Sequence, residues 1–317
     1  MRIVAALGGN ALIRRGDDMD VETQRANIKR AVAALAGLAH DHQLVVTHGN
    51  GPQVGLLALQ AAAYHDVAAY PLDVLGAETE GMIGYLLEQE LATELPEVRV
   101  ATLLTQVVVD PHDPAFQGPT KPIGPLYPEA VARDLAAGRG WLLQPDGPGW
   151  RRVVASPQPC RILELATIRL LVDAGVLVVC AGGGGIPVTV DDVGAVRGVE
   201  AVIDKDLSAA LLAIQLDADR LLLLTDAEAI WTGWHTPQAR ALASANPGAL
   251  RRLDLPAGSM GPKAEAACRF VEATGRPAAI GSLTAAAAVL AGTAGTTVTV
   301  AVAGLQWRTP PPPAHEP

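Results

Sequence analysis

The sequence predicts an α/β fold in which helices cover both faces of a mainly parallel sheet. Of its 317 residues, 50% are hydrophobic, which is enough to build a large core. Short apolar runs typical of strands alternate with longer patterns typical of helices, and this alternation indicates parallel strands joined by right-handed crossovers. Three apolar runs lead directly into glycine clusters, as parallel strands do where a ligand binds beyond their carboxyl ends.

The predicted elements alternate from the N-terminus onward. Strands are expected at residues 2–7, 44–47, 98–109, 176–180, 219–225, 277–281 and 296–302. Helices are expected at about residues 23–41, 52–65, 72–94, 161–174, 205–217, 259–274 and 283–291. Residues 277–307 carry no charge, yet they divide into a helix pattern, a glycine turn and a strand pattern, so we expect no membrane span there.

Residues 110–159 differ in composition from the rest of the chain. They hold ten of the 24 prolines and two of the five tryptophans. Such a stretch is too long and too rich in turns for a simple connection. We therefore predict one domain over residues 1–308 with residues 110–159 inserted as a small protruding lid, a partly disordered insertion being the alternative. Residues 309–317 are proline-rich and are expected to form a disordered tail.

Charge and cysteine content exclude several classes of function. The net charge is −9 at pH 7 and no basic run alternates with aromatic residues, which argues against a nucleic-acid partner. The N-terminal apolar run is too short for a secretory signal. The three cysteines, Cys160, Cys180 and Cys268, are far apart and odd in number, which argues against structural zinc and predicts a reducing, cytoplasmic environment.

The distribution of lysine gives the first indication of a phosphate site. Twenty of the 24 basic residues are arginine and only four are lysine, although arginine suffices wherever plain positive charge is needed. Lys121, Lys205 and Lys263 lie in stretches rich in Gly, Pro and Asp. A compact ammonium group suits a phosphoryl oxygen that moves during a reaction, although ordinary exposed loops are the alternative reading.

The glycine clusters and an Asp-Lys-Asp block add to this indication. The clusters are Gly8-Gly9-Asn10, Gly49-Asn50-Gly51 and Gly182 to Gly185. Backbone N–H groups in such turns can bind phosphate oxygens. Asp204 and Asp206 flank Lys205 directly before a helix pattern, so either aspartate is a candidate helix cap, and Asp206 can hold the Lys205 ammonium. A solvated surface trio is the alternative.

Other catalytic motifs do not account for these features. The chain lacks the P-loop pattern, a Gly-x-Ser-x-Gly nucleophile elbow and a His-Glu-x-x-His metal site. Residues 49–55 approximate a dinucleotide fingerprint, but no strand ending in an acidic residue follows at the required distance, so a Rossmann oxidoreductase is disfavoured. His48 adjoins a glycine cluster, where we favour a loop-bracing hydrogen bond over a general base. Phosphoryl transfer to an anionic oxygen needs positioning and charge neutralisation instead of a base.

Seven motifs that occur in order along the chain carry a resemblance to a known family. They are Leu7 to Ala11, His48 to Gly55, Thr105 to Pro111, Thr120 to Pro125, Gly182 to Val188, Val199 to Asp206 and Pro256 to Lys263. Together they closely resemble carbamate kinases, a family within the amino acid kinase superfamily. The glycine motifs are shared across the superfamily, whereas Thr-Lys-Pro-Ile-Gly-Pro and Asp-Lys-Asp are more specific to carbamate kinases.

The resemblance implies a homodimer of open three-layer αβα sandwiches, each built on a mainly parallel sheet of about eight strands. It also implies a reversible, Mg²⁺-dependent reaction in which ATP and carbamate give ADP and carbamoyl phosphate. In this family the usual direction is ATP formation at the end of arginine breakdown. The resemblance implies no protein-bound metal, since Mg²⁺ is held mainly by the nucleotide phosphates.

Carried over to this chain, the resemblance implies a role for each matching residue. Lys205 and Lys263 would neutralise phosphate oxygens, Asp206 would organise these lysines, and Lys121 would reach in from the lid. The transferred phosphoryl group and carbamate would lie against Gly8, Gly9, Asn10, Gly49, Asn50 and Gly51. The nucleotide pocket would be lined by Gly183, Gly184, Thr225, Asp226, Met260, Gly261 and Pro262. The chain departs from some family members at residues 226–231, where those carry glycine and aromatic residues.

Two rival functions remain at this point. Another amino acid kinase, such as acetylglutamate kinase, would need residues that grip an α-carboxylate and would leave the proline-rich segment unexplained. A non-catalytic sensor of nucleotide or carbamoyl phosphate would be marked by loss of Lys205 or Lys263, and both are present.

Overall fold

A computed structural model describes residues 1–308 except for 10–11, 14–16, 18, 64–67, 235, 237 and 257. The strands and helices follow in the order β1 Arg2–Leu7, α1 Val21–Asp41, β2 Gln43–His48, α2 Gly51–Ala63, α3 Leu72–Glu94, β3 Val100–Leu103, β4 Gln106–Val109, β5 Lys121–Tyr127, α4 Glu129–Arg139, β6 Leu143–Asp146, β7 Gly149–Val154, β8 Pro159–Ile162, α5 Leu165–Asp173, β9 Leu177–Cys180, β10 Ile186–Val190, β11 Val196–Gly198, α6 Lys205–Gln215, β12 Arg220–Thr225, β13 Trp231–Thr232, β14 Arg240–Ala245, α7 Pro247–Leu250, α8 Met260–Thr274, β15 Ala278–Ser282, α9 Ala286–Leu290, β16 Thr296–Val298 and β17 Leu305–Trp307. The predicted tail at 309–317 and the predicted site residue Asn10 lie outside the described residues.

Within the described part of the chain the main sheet has ten strands, and its central part is parallel. Eight strands follow one another in the order β14-β16-β15-β12-β1-β2-β9-β3, and two short strands, β13 and β17, each pair with β14 at the edge. Every pairing from β15 across to β3 is parallel. The predicted open, mainly parallel sheet of about eight strands is therefore confirmed, with the two short edge strands in addition.

Strand β1 shows how both faces of this sheet are buried. Val4 and Ala6 belong to a core that contains residues of α5, α6 and α8. Ile3 and Leu7 belong to a second core, which contains residues of α1, α3 and α9. Successive strand residues point to opposite faces, so a strand that is apolar at every position from Ile3 to Leu7 fits a sheet covered on both sides. The three-layer αβα architecture is thus confirmed.

The strand predicted at residues 98–109 is two strands in different sheets. β3 forms the edge of the main sheet, whereas β4 lies between β10 and β8 in a separate four-stranded sheet completed by β11. Thr105 turns the chain between them, because its hydroxyl donates to Leu103 O at 2.9 Å and its N–H donates to Glu80 Oε2 at 3.1 Å. The strand pattern predicted at residues 98–109 does not reveal this turn, because the Glu80 side chain that stabilises it comes from a distant part of the chain.

Two other predicted elements differ from the structure by four residues at one end. The helix predicted at 161–174 begins only at Leu165, because the residues up to Ile162 pair with β4 as strand β8. The strand predicted at 296–302 ends at Val298. The uncharged stretch at 277–307 forms β15, α9, β16 and β17, and none of the described helices is long and apolar enough to cross a membrane.

Residues 110–159 contain a small sheet of their own. Strands β5, β7 and β6 form a three-stranded antiparallel sheet, and α4 follows β5. Ile123 and Val154 of this sheet pack with Val54 of α2 and Leu75 of α3 in a third apolar cluster. The segment therefore contacts the rest of the chain through buried apolar residues. Its bounds as a lid stay a prediction.

Helix α2 meets this segment at two glycines that touch. A Cβ atom on Gly55 would lie 1.9 Å from Gly124 Cα, and Gly124 has a φ of +73°, which favours glycine. We expect Gly55→Ala to push β5 away from α2 and to destabilise the fold by about 1–3 kcal/mol, as overpacking does. Gly37→Ala in α1 is the control, because a Cβ there meets no atom within 4 Å.

Alanine is the better helix former, so Gly37→Ala should stabilise the fold by about 0.5–1 kcal/mol. The two variants, compared by urea unfolding, should therefore differ in sign. A Gly55→Ala protein as stable as Gly37→Ala would show that α2 and β5 do not approach this closely.

Candidate active site

Three glycine turns meet at the carboxyl edge of the parallel sheet. They follow β1, β2 and β9, which are neighbours in the sheet. Gly8 N donates to Leu224 O at 2.8 Å, and Gly49 N donates to Leu7 O at 3.1 Å. A Cβ atom on Gly49 would lie 3.1 Å from Gly9 N, so the first two turns are in direct contact. A Cβ atom on Gly8 would lie 3.2 Å from Leu224 O, so glycine at both positions lets neighbouring backbone segments approach closely.

The third turn, Gly182 to Gly185, packs against the second through Asn50. A Cβ atom on Gly183 would lie 2.1 Å from Asn50 Nδ2, and Gly183 has a φ of +67°. Both the contact and the conformation require glycine at this position. The Asn50 side chain is buried and donates to Thr79 Oγ1 at 2.8 Å. Asn50 is therefore fixed between α3 and the third turn.

Two lysines from different helices share one carboxylate beside these turns. Lys205 is the first residue of α6, and Lys263 lies in the first turn of α8. Lys263 Nζ lies 3.1 Å from Asp206 Oδ2, and Lys205 Nζ pairs with Asp206 Oδ1. The side chains of Lys205, Lys263 and Asp206 are only 11%, 10% and 4% exposed. A Cβ atom on Gly49 would lie 3.3 Å from Lys205 Cδ, so this lysine cluster adjoins the glycine turns.

The lysine cluster, defined as Lys205, Lys263 and Asp206, has the charge to hold an anion. Two ammonium groups and one carboxylate leave it with one positive charge when all three are ionised. Burial lowers the pKa of Lys205 to about 8, although the Asp206 carboxylate opposes this shift. The N-termini of α6 and α8 add the positive ends of two helix dipoles. A group with several anionic oxygens, such as a phosphoryl group, matches this arrangement.

Lys121 approaches the same place from β5. Its Nζ pairs with Asp204 Oδ2. The other oxygen of Asp204 caps α6, accepting from Asp206 N at 2.9 Å and from Leu207 N at 3.3 Å. Burial alone would raise the pKa of Asp204, but the ammonium groups of Lys121 and Lys205 and the Leu207 N–H together outweigh it and lower this pKa to about 2. Of the two candidate caps, the structure thus assigns capping to Asp204 and the buried ammonium contacts to Asp206.

The residues predicted to line a nucleotide pocket border the glycine turns and the lysine cluster. Thr225 ends β12, and its hydroxyl donates to Asp226 Oδ1 at 2.9 Å. A Cβ atom on Gly8 would lie 3.6 Å from Thr225 Cα, so Thr225 adjoins the first glycine turn. Residues 260–262 form the first turn of α8 together with Lys263. Their roles toward a nucleotide stay predictions.

The remaining predicted residues are placed as follows. Gly51 is the first residue of α2, at a helix end whose first N–H groups have no carbonyl partner within the helix. Gly184 belongs to the third turn, where its Cβ atom would lie 2.5 Å from Ile203 O, two residues before Lys205. Every predicted site residue except Asn10, which lies outside the described residues, thus belongs to one of the turns, to the lysine cluster or to a segment beside them.

Sequence reasoning missed three buried polar residues beneath the turns, namely Thr79, Glu80 and Thr105. Their exposures are 0%, 1% and 0%. Thr79 and Glu80 lie on α3, on the face whose other buried positions are mostly leucine and isoleucine. A polar pair on an otherwise apolar helix face is the signal that could have revealed them.

His48 is buried directly beneath the second glycine turn. Its Nδ1 lies 3.2 Å from Gly49 O, and its Nε2 is buried without a hydrogen-bond partner among the described residues. Burial lowers the pKa of His48 to about 4, so the imidazole is neutral at pH 7. This geometry matches the loop-bracing hydrogen bond expected from the sequence.

Acidification is expected to destabilise the fold through His48. Its pKa is about 4 in the folded chain and 6.5 for an ordinary histidine, so the unfolded chain binds a proton first as the pH falls. The contribution of His48 to stability should therefore fall by roughly 3 kcal/mol between about pH 6.5 and pH 4. Because buried Glu80, whose pKa is raised to about 8, gains stability as the pH falls, urea titrations at several pH values should show the His48 loss as the difference between the natural chain and His48→Gln. His40→Gln, at an exposed position, is the control and should keep the loss; an equal loss in His48→Gln would contradict the prediction.

The described residues offer no ready-made metal centre. Among them, no three His, Cys, Asp or Glu side chains converge closely enough to hold an ion. The most buried carboxylate of the site, Asp206, already pairs with two ammonium groups. Mg²⁺ commonly binds through substrate phosphates and water with one or two carboxylates, so this donor set fits Mg²⁺ that arrives with a nucleotide.

Comparison with known proteins places these features in a family. The sequence profile of the amino acid kinase family matches residues 1–282. Carbamate kinase from Rhizobium meliloti (strain 1021) is 56% identical over 324 aligned residues, covering 100% of both chains. Carbamate kinase from Haemophilus influenzae is 52% identical over 308 residues, covering 97% of this chain and 99% of that enzyme. Among solved structures, carbamate kinase from Giardia lamblia bound to AMP-PNP matches with a TM-score of 0.85 and 40% identity, over 94% of this chain and 98% of that one.

Proposed function

Because this chain belongs to the amino acid kinase family, we propose that it is a carbamate kinase, which transfers a phosphoryl group reversibly between ATP and carbamate. The family resemblance read from the seven motifs is confirmed. One observation carries the proposal: the buried ammonium groups of Lys205 and Lys263 share the Asp206 carboxylate where three glycine turns meet. This is a site for a phosphoryl group, and the chain is a phosphotransferase.

The reaction needs charge neutralisation more than proton transfer. The attacking carbamate oxygen is already anionic, so no residue has to remove a proton from it. In the transition state, negative charge spreads over the three equatorial oxygens of the migrating group. Lys205 and Lys263 would contact these oxygens, and Asp206 would hold both ammonium groups in place. The N-terminus of α2 at Gly51 would add backbone donors.

The glycine turns supply close access for both substrates. A side chain at Gly9, whose Cβ position has no described atom within 4 Å, would enter the space in which the phosphoryl group moves between its two acceptors, whereas Gly8 and Gly49 let the turns approach one another. Thr225, Asp226 and residues 260–262 would bind the nucleotide next to this space. Mg²⁺ would enter as part of the nucleotide substrate and neutralise phosphate charge, held mainly by phosphate oxygens and water.

The insertion at residues 110–159 would act as a lid over carbamoyl phosphate. Lys121 already lies against Asp204, the residue before Lys205, so its ammonium is within the same group of charges. We assign ATP formation, in the breakdown of arginine, as the direction in the cell, and the cytoplasm as the location. Three cysteines without disulfides are consistent with a reducing compartment.

A homodimer forms part of the proposal. The outer face of α3 exposes Val74, Met82 and Tyr85, with exposures of 37%, 36% and 56%, and Leu104 beside them is 51% exposed. Such a patch on a folded chain is typical of an interface between subunits. Sedimentation equilibrium of the purified chain measures the subunit number directly.

Neither rival function explains the site as well. Acetylglutamate is bulkier than carbamate and carries an α-carboxylate, which would need residues to bind it. The cations of the lysine cluster lie beside the glycine turns, where they would bind the phosphoryl group instead. A non-catalytic sensor would gain nothing from two ammonium groups held on one buried carboxylate, because such an arrangement serves charge that develops during transfer.

The test is a coupled assay for ATP formation. Purified protein, ADP and Mg²⁺ are mixed with carbamoyl phosphate or with acetylglutamate phosphate as the donor, and ATP is followed by a hexokinase and dehydrogenase couple. We expect ATP to form when carbamoyl phosphate is the donor and not when acetylglutamate phosphate is the donor. Preference for acetylglutamate phosphate would favour the first rival, and binding of carbamoyl phosphate without any transfer would favour the sensor.

A further inference from the structure

Two adjacent buried side chains of α3 hold the second and third glycine turns. Thr79 and Glu80 are 0% and 1% exposed and lie on the inner face of the helix, beneath the site. Neither lies in the seven motifs, and neither contributes to the charge neutralisation described above. Their hydrogen bonds all run to the backbone of their own helix or to residues of the site and its supporting turn.

Thr79 fixes the side chain of Asn50. Its Oγ1 accepts from Asn50 Nδ2 at 2.8 Å, while its own proton is shared between Gly76 O at 2.8 Å and Leu75 O at 3.1 Å. With the hydroxyl proton directed along the helix, Oγ1 can only accept from Asn50. The amide group of Asn50 is thereby oriented, and the third turn packs directly against it.

Glu80 fixes the third turn by its backbone. Its Oε1 accepts from Gly182 N at 2.7 Å and its Oε2 accepts from Thr105 N at 3.1 Å. Thr105 extends this contact, because its Oγ1 accepts from Ala181 N at 2.9 Å. Ala181 has a φ of +51°, a left-handed conformation that is unfavourable for alanine. The bonds donated by Ala181 N and Gly182 N help to maintain this conformation.

Burying a carboxyl group at this position is costly, and burial raises the pKa of Glu80 to about 8. The two backbone N–H groups offset only part of this cost. An apolar residue of similar size would stabilise the core more than this carboxyl group does. We therefore attribute the presence of Glu80 to the two backbone N–H groups that it binds.

We propose that Thr79 and Glu80 are positioning residues for phosphoryl transfer, which keep the second and third glycine turns at a fixed separation through Asn50 and Gly182. This inference rests on the proposed function of the site. Both turns are then supported by one helix, so removal of the side-chain hydrogen bonds of either Thr79 or Glu80 should misplace the reacting groups. A misplacement of about 1 Å can cost about 100-fold in rate.

The test compares variants that keep or remove the hydrogen bonds at nearly constant volume. Glu80→Met removes both acceptors and should lower kcat about 100-fold, as expected for a loss of about 1 Å in positioning. Glu80→Gln keeps one carbonyl oxygen for Gly182 N and should retain at least about a tenth of kcat, because only one bond is lost. Thr79→Val removes the acceptor for Asn50 and should lower kcat about tenfold. Glu78→Met and Thr93→Val, at exposed positions of the same helix, are the matched controls and should behave like the natural chain.

Three readouts separate positioning from a purely structural role. Positioning predicts that kcat falls more than the KM for ADP rises, that Glu80→Gln restores activity relative to Glu80→Met, and that the loss persists well below the unfolding temperature of each variant. If Glu80→Met fails to fold, Glu80→Gln and Thr79→Val decide the question by the same readouts. Equal kcat in Thr79→Val and Thr93→Val, or kcat of Glu80→Met equal to that of Glu78→Met, would overturn the inference.

The natural chain is measured in the same ATP-forming assay. If it forms no ATP from carbamoyl phosphate, the proposed function fails. If it forms ATP and the α3 variants do as well, the function stands and the positioning role is overturned.

Discussion

Replacing Lys205 with methionine is expected to lower kcat by about 1000-fold or more, because a cation in a buried site contributes several kcal/mol to a phosphoryl-transfer transition state. Methionine keeps the length and the apolar part of the side chain, so the packing around α6 changes little. Lys263→Met should have an effect of the same order, since both ammonium groups contact the same carboxylate. Both are measured as kcat at saturating ADP and carbamoyl phosphate.

Stability measurements separate the loss of charge from a loss of fold. Asp206 keeps one ammonium partner in either variant, and the repulsion between the two lysines is relieved, so the thermal unfolding midpoint should change little. Lys29→Met is the matched control, because Lys29 is exposed on α1 and belongs neither to the lysine cluster nor to a glycine turn. Near-normal turnover in Lys205→Met would remove that residue from the mechanism.

The central strands were predictable because each is a short apolar run between a helix and a turn. β1 and α3 have the bounds that the patterns predict, β9 and β12 differ by one residue at one end, and β2 and β15 differ by one residue at both ends. A strand that is buried on both faces needs apolar residues at consecutive positions, so the local sequence is enough to identify it. The split of residues 98–109 could not be predicted, because the turn at Thr105 depends on Glu80, 25 residues earlier.

The candidate site was predictable where rare residue types mark it. Four lysines in the chain and three glycine clusters limit the possibilities, and the structure brings three of those lysines into contact with Asp204 or Asp206. The support beneath the turns was not predictable. Glu80 Oε1 and Gly182 N are separated by 102 residues, and nothing local relates one helix position to so distant a turn.

Replacing Lys121 with methionine is expected to lower kcat by about 100-fold. The change removes one of the cations that would contact the transferred phosphoryl group when the proposed lid covers the site. The KM for ADP should stay within about threefold, since Lys121 pairs with Asp204, which is not among the residues predicted to bind the nucleotide. Steady-state assays with ADP and carbamoyl phosphate varied in turn measure both constants.

The ion pair with Asp204 makes a structural role the main competing explanation for Lys121. Asp204 would still cap α6 in Lys121→Met through its bonds to Asp206 N and Leu207 N, so the helix and the lysine cluster should persist. Arg133→Met, which removes an exposed cation of α4 within the same insertion, is the matched control and should leave kcat unchanged. If Lys121 only anchored the insertion, Lys121→Met would lower the unfolding midpoint and leave kcat at the level of the control. A fall in kcat at an unchanged midpoint therefore assigns the Lys121 ammonium to the reaction itself.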